Sequence, residues 1–329
     1  MAQRNHHKIR LSKAARPVNG TFRYFTIGDA VTDIKSLYVL GLSTPERAIM
    51  FTDDLLKGKR ILITGGGTGI GRAMAERFLQ LGATVFICGR RREVVEKTAA
   101  ELSASTGGTI EGFPCDVRYP EDVETLIEEL WAKGPLDVLV NNAAGNFLAR
   151  TEGLSSHAFE AVISIVLKGT INMTMACGRR WLASKHKGVV LSIATTYADT
   201  GSAYVVPSAV AKAGVVALMR SLAVEWGGNG IRFVAIAPGA IRTEGAFSRL
   251  LPTPEIEKRL LEHNPLHRFG TLEEIANLGA FLISDQAGYI NGEMVYMDGG
   301  EMLAGASTFS LIGRRMPDAA WEMLKPKKK

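Results

Sequence analysis

Lys212 stands four residues after Ser208 and fifteen after Tyr197. A lysine and a hydroxyl four residues apart share one face of a helix. An ammonium beside a phenol lowers its pKa from about 10 and turns it into a proton donor. Here the hydroxyl at the four-residue spacing belongs to a serine, too weak an acid for that task. Either the chemistry is absent or the donor has moved to Tyr197. Lys212 has Val210, Val215 and Val216 around it, so its helix is expected to be mostly buried, where a lysine needs a reason. Taken alone, Tyr197 reads equally as a strand-end aromatic with its hydroxyl in water. Asn146, following Gly145, reads equally as a turn residue.

A second constellation is Gly65, Gly66, Gly67, Thr68, Gly69, Ile70 and Gly71, directly after an apolar run and directly before a helical pattern. Glycines there permit a tight turn and let backbone approach a pyrophosphate, whose charge the helix N-terminus stabilises. The expectation is a dinucleotide site. At the end of the next apolar run, where an NAD site carries an acid for the ribose hydroxyl, the chain reads Gly89-Arg90-Arg91. Guanidinium groups in place of that acid suit a 2′-phosphate, which favours NADP; the alternative is an exposed helix start, the reading given to Arg92. Asp116 has two equal readings, an acceptor for the adenine amine or a cap for the helix beginning near Pro120.

The elements that must position these residues alternate from Lys59 onward. Strands are expected at Arg60–Thr64, Thr84–Cys88, Thr109–Cys115, Asp137–Asn141, Gly188–Ile193, Ile231–Ile236 and Met294–Met297. Most are near-continuous apolar runs, as a parallel sheet covered on both faces requires. Helices are expected at Ile70–Leu81, Glu93–Ser103, Pro120–Ala132, Ala158–Leu182, Ala209–Trp226 and Leu272–Ile283. This pattern predicts an α/β fold, a Rossmann-type doubly wound sheet of seven parallel strands forming a single domain over residues 55–302. Residues 240–268 read as an irregular insertion, expected to act as a lid over substrate. Residues 1–54 read as a basic extension, partly disordered or packed on the core, and 303–329 as a second extension with a basic tail.

With 46% hydrophobic and 22% charged residues over 329 positions, the composition is that of a globular protein with a substantial core. No run of about eighteen purely apolar residues occurs, so no membrane span is expected. Cys88, Cys115 and Cys177 fit no metal spacing and read as small buried hydrophobes of a reducing compartment. Arg4, Lys8, Arg10, Lys13, Arg16 and Arg23, with the four lysines of 325–329, hold ten positive charges. Taking these from the net +6 leaves about −4 on the body, which argues against a nucleic-acid surface there. A cytoplasmic location is expected, with the mitochondrial matrix as alternative because the first 28 residues are basic and acid-free. The helices at 158–182 and 209–226 are apolar on more than one face, so a homo-oligomer is expected.

The glycine loop, Asn141-Asn142-Ala143-Ala144-Gly145, Lys212 and Pro238-Gly239 together resemble the short-chain dehydrogenase/reductase family. Asn142 to Phe147, the displaced Tyr197, Val206-Pro207-Ser208-Ala209 and Gly245 to Leu250 resemble, within it, the NADPH-dependent 2,4-dienoyl-CoA reductases over residues 55–300. The resemblance implies NADPH bound by the glycine loop with Arg90, Arg91, Asp116, Val117, Asn142, Ala143, Lys212, Pro238, Gly239, Ala240 and Ile241. It implies Tyr197 as proton donor, Asn146 orienting it and the thioester carbonyl, Ser208 completing the network, and Lys212 on the nicotinamide ribose. Arg118, Phe147, Ser155 and Arg249 fall where the family contacts the acyl-CoA. Two features depart: Ala194-Thr195-Thr196 is not the family's usual string, and Val166 stands where many related reductases place an asparagine, which removes that role. The implied activity is reduction of a 2,4-dienoyl-CoA to a 3-enoyl-CoA in unsaturated fatty-acid β-oxidation, by a homotetramer. The alternatives are a short-chain reductase acting on a 2-enoyl-CoA, ketone or alcohol, and a catalytically silent NADP-binding scaffold.

Overall fold

The computed structural model describes residues 25–27, 30–32, 52–243, 254–306, 316–317 and 319–320. The chain divides into two compact units, Met1–Ile49 and Met50–Lys329. In the first, strands β1 (Phe25–Ile27) and β2 (Ala30–Thr32) pair antiparallel.

The second unit is built on seven parallel strands: β3 (Arg60–Thr64), β4 (Thr84–Gly89), β5 (Ile110–Pro114), β6 (Val138–Asn141), β7 (Gly188–Ile193), β8 (Ile231–Pro238) and β9 (Glu293–Met297). Their order is β5-β4-β3-β6-β7-β8-β9, every pairing parallel. This is the doubly wound sheet expected, with its crossing point between β3 and β6. Successive side chains of a strand point to opposite faces, and both faces are covered here. Ile61, Ile63, Val85, Ile87, Val140, Leu191 and Ile236 pack under helices α1 (Gly69–Gln80), α2 (Arg92–Thr106) and Leu272–Ile283. Leu62, Phe86, Leu139, Val190 and Ala235 pack under α3 (Pro120–Ala132), Gly169–Ser184 and Val206–Trp226. Burial on both sides explains why the strands read as unbroken apolar runs. All three cysteines are buried in this second layer.

The structure alters three expectations. Ala158–Leu182, read as one helix, is α4 (Ser156–Ile163), a wide π-helical turn (Ser164–Lys168) and α5 (Gly169–Ser184). A hydrogen bond of 2.7 Å from the Thr170 hydroxyl to the Val166 carbonyl satisfies backbone in this turn. After the one-turn helix α6 (Tyr197–Thr200), helix α7 runs Val206–Trp226, three residues earlier than expected, because Pro207 fits a first turn that needs no amide hydrogen. Within the insertion, residues 244–253 lie outside the described residues, but Pro254–His263 forms helix α8 rather than loop. Pro254 opens it, Glu255 and Glu257 sit at its positive end and His263 at its negative end. Helices α9 (Leu272–Ile283) and α10 (Glu301–Ala306) complete the unit.

By length and composition two helical stretches, Ser156–Ser184 and Val206–Asn229, qualify as membrane spans, with mean hydropathy 1.4 and 1.3. Half of the first window and 56% of the second are buried inside the fold. Their apolarity covers the sheet.

Candidate active site

The loop leaving β3 is shaped by close approaches. Gly65 and Gly69 have φ of 64° and 55°, a region glycine enters without penalty. A Cβ on Gly66 would lie 2.5 Å from Ile87 Cγ2, and one on Gly71 would lie 2.5 Å from Asn142 Nδ2. Thr64 braces the loop from below: its hydroxyl donates to the Val140 carbonyl at 3.3 Å and accepts the Asn142 and Ala143 amides, each at 3.0 Å. Asn142 Nδ2 donates to the Thr64 and Gly65 carbonyls at 2.9 and 3.1 Å. The Thr98 hydroxyl holds the Gly67 carbonyl at 2.9 Å. Thr68 stands at the N-cap of α1, but its side chain caps nothing, and the first turn carries no acid. By contrast, α9 begins with a full capping box from Thr271 and Glu274. The bare amides of α1 at the mouth of a glycine loop fit a dinucleotide pyrophosphate.

Beside this loop Arg90 and Arg91 are exposed, and Arg92 opens α2 paired with Glu96 at 3.1 Å. Asp116 does not cap α3, whose N-cap is Tyr119 with no side-chain bond. Instead its carboxylate accepts the Arg118 backbone amide at 3.1 Å and the guanidinium at 2.5 to 3.0 Å. Burial pushes this carboxyl up, but the hydrogen bonds and charge of Arg118, with the charge of Arg90, outweigh it and hold the pKa below the ordinary value. Arg118 also stacks over Tyr119, its guanidinium carbon 5.3 Å from the ring centre. Val117 is buried.

The displaced tyrosine meets its partners at the carboxyl ends of β6 and β7, adjacent strands of the sheet. Asn146 Nδ2 donates to the Tyr197 hydroxyl at 3.2 Å, and that hydroxyl shares a 3.2 Å hydrogen bond with Ser208 Oγ. The Phe147 amide donates to Asn146 Oδ1 at 2.9 Å, which turns the NH2 end of the amide toward Tyr197. A 2.9 Å bond from the Ala149 amide to the Tyr204 carbonyl ties the Asn146 loop to the segment between Tyr197 and Ser208. Phe147 packs on Val162, Val166, Ala211 and Val215. Val166 therefore has an apolar packing role. Ser155 caps α4 through the Ala158 amide at 3.2 Å and lines an open depression with Thr151, Leu154 and Phe159. At the end of β8, Pro238 pairs with Met297, the Gly239 amide donates to the Met297 carbonyl at 3.0 Å, and Ile241 bridges to Gly270. The Ala240 carbonyl accepts the Gly270 amide. Arg249 lies outside the described residues.

A family model described as Enoyl-(Acyl carrier protein) reductase matches residues 65–301. The chain is a short-chain dehydrogenase/reductase. This reductase is 47% identical over 254 residues to the Caenorhabditis elegans protein "Probable 2,4-dienoyl-CoA reductase 3 [(3E)-enoyl-CoA-producing]", covering 76% of this chain and 82% of that one. It is 46% identical over 250 residues to the Bacillus subtilis "Probable 2,4-dienoyl-CoA reductase [(2E)-enoyl-CoA-producing]", covering 75% and 98%. Among solved structures, a short chain dehydrogenase from Bacillus anthracis superposes with TM-score 0.69 at 44% identity, covering 74% of this chain and 96% of that one. A gluconate 5-dehydrogenase from Burkholderia cenocepacia, in complex with NADP and tartrate, superposes with TM-score 0.72 at 28% identity, covering 76% and 98%.

In this reductase Lys212 lies one turn beyond Ser208 on α7, 7% exposed, with its ammonium donating to the Ile193 carbonyl. Burial lowers its pKa from 10.5 to about 8. It is a cation held in a dry place. Reading the sequence missed Thr64 and Thr98, which brace the cofactor loop. Thr64 adjoins the glycines in sequence, yet nothing local signals that its hydroxyl serves a strand more than seventy residues away.

Proposed function

We propose that this reductase uses NADPH to reduce 2,4-dienoyl-CoA thioesters to 3-enoyl-CoA. The observation that carries the reading is the hydrogen-bonded series Asn146–Tyr197–Ser208, with a buried lysine one turn further along the helix. Carbonyl reduction would call for a phenol at position 208, where this chain has a serine. When bound, NADPH would supply the hydride for the far end of the conjugated diene, a reduction that leaves negative charge to be carried at the thioester oxygen. Asn146 and Tyr197 donate hydrogen bonds toward that oxygen, the kind of preorganised stabilisation that lowers such barriers most. Tyr197 then delivers the proton to Cα. Lys212, one turn beyond Ser208, reads as the group on the nicotinamide ribose, and Ser208 holds the Tyr197 hydroxyl in line. Arg90 and Arg91 read as donors to the 2′-phosphate, Asp116 and Val117 as the adenine wall, and Pro238–Ile241 as the nicotinamide side. Arg118, Phe147, Ser155 and Arg249 read as contacts to the acyl-CoA. Val210 and Val224, 49% and 86% exposed on the outer side of α7, suit a subunit contact in a homotetramer.

The test follows loss of NADPH absorbance with 2,4-hexadienoyl-CoA, crotonyl-CoA and acetoacetyl-CoA. Turnover of the dienoyl thioester alone supports the reading, with the product double bond located by NMR. Tyr197→Phe is expected to lower kcat by about 10²–10⁴-fold with NADPH affinity unchanged. Oxidation with acetoacetyl-CoA alone would refute both substrate and donor.

A further inference from the structure

Tyr197 sits on a helix of one turn, Tyr197–Thr200. One turn has little stability of its own, since closing it fixes several backbone angles for a single hydrogen bond. One bond closing it runs from the Gly201 amide to the Tyr197 carbonyl at 3.0 Å. On its inner side the turn has the two bonds at the Tyr197 hydroxyl, both 3.2 Å. Residues two apart on a helix do not face each other, so Asp199 points away from the Tyr197 side chain. Its carboxylate accepts a hydrogen bond from the Tyr296 hydroxyl on β9 and pairs with Arg220 of α7 at 3.5 Å.

These two outer contacts differ in worth. The Arg220 and Asp199 side chains are 54% and 35% exposed, and ion pairs in water contribute little. The Tyr296 bond also lies at the surface, with Tyr296 38% exposed, but a hydroxyl bonded to a carboxylate belongs to the stronger, charge-assisted class. Tyr296 also has a firm mount: it pairs with Ala237 of β8, and its neighbour Met297 takes the Gly239 amide. The same strand end therefore holds Pro238 and Gly239.

We infer that Tyr296, acting through Asp199, is a positioning residue that fixes the Tyr197 turn relative to Pro238–Gly239. The inference rests on Tyr197 being the proton donor. Tyr296 touches neither substrate nor cofactor in this scheme. It sets where the donor stands when the site is loaded.

The test uses the full chain with NADPH bound and compares Tyr296→Phe, Asp199→Ala and Asp199→Asn. Hydrogen exchange of the Gly201 amide reads the turn directly and needs no substrate. In Tyr296→Phe and Asp199→Ala that amide is expected to exchange about tenfold faster, and kcat to fall about tenfold, with KM for NADPH within about twofold of wild type. Asp199→Asn keeps an oxygen for the Tyr296 hydroxyl while losing the ion pair, so both readouts are expected to return to within about threefold of wild type. Unchanged exchange in Tyr296→Phe would overturn the inference. So would a rise in NADPH KM in step with lost thermal stability, which would make Tyr296 a packing residue. If wild type fails to turn over the dienoyl thioester, the substrate reading falls, while the exchange result still decides the clamp.

Discussion

Lys212→Met replaces a buried ammonium by an uncharged side chain of similar length. In the unfolded chain the ammonium keeps its proton up to 10.5, and in the folded chain only to about 8, because burial penalises the charge. Below about 8 both states are protonated and the folded state bears the whole penalty. Between about 8 and 10.5 the unfolded chain binds more protons, so stability gained from this residue rises with pH through that window. The gap corresponds to roughly 3 kcal/mol. The bond from the ammonium to the Ile193 carbonyl favours the charged form, which makes that figure an upper bound. Losing this bond also shifts Lys212→Met by a constant amount, so the informative quantity is the slope of the difference rather than its sign at one pH. The assay is urea unfolding of both proteins without cofactor, followed by tryptophan fluorescence at steps from about pH 7 to 10. Groups remote from position 212 cancel in the comparison. Wild type is expected to gain up to about 3 kcal/mol on the variant across the series. A difference constant to within about 0.5 kcal/mol would refute the claim that Lys212 is held as a desolvated cation.

Gly71→Ala sets two effects against each other: alanine favours a helix by about 1 kcal/mol, but the new Cβ would lie 2.5 Å from Asn142 Nδ2 and 2.6 Å from the Gly65 carbonyl. Overpacking of this kind costs about 1–3 kcal/mol and moves the loop, so NADPH affinity by fluorescence titration is expected to fall at least about tenfold, and an affinity within about twofold of wild type would show that the loop yields. Thr64→Val conserves shape but leaves the Asn142 and Ala143 amides without their acceptor; denaturant unfolding is expected to show a loss of about 2–4 kcal/mol.

Sequence and structure agree best where burial imposes a period. Arg60–Thr64 and Gly188–Ile193 are apolar because both sheet faces are covered, and their ends coincide with expectation. Pro120–Ala132 agrees because Pro120 sits where a helix tolerates proline. Helix α8 was hidden by the prolines before it, which made the whole insertion look irregular. At the site, the glycine loop and Lys212 could be read from local pattern. Asn146 and Tyr197 became legible only through family resemblance, since an asparagine after glycine and a tyrosine after a strand are ordinary residues. Tyr296 and Asp199 are 97 positions apart, and contacts closed only by tertiary folding leave no periodic trace.

The wide turn at Ser164–Lys168 makes the chain's length at this point part of its chemistry. A residue added to a helix advances it by about 100°, so the extra residue rotates everything before it against everything after. One rod thereby serves two surfaces: Val162 and Val166 support Phe147, the neighbour of Asn146, while Met173, Cys177 and Trp181 lie on the sheet. A single-codon deletion here would mend the backbone into a regular helix. It would also swing α4 out of phase with the loop that carries Asn146 and Phe147, so the most regular form of this helix is not the one that packs here.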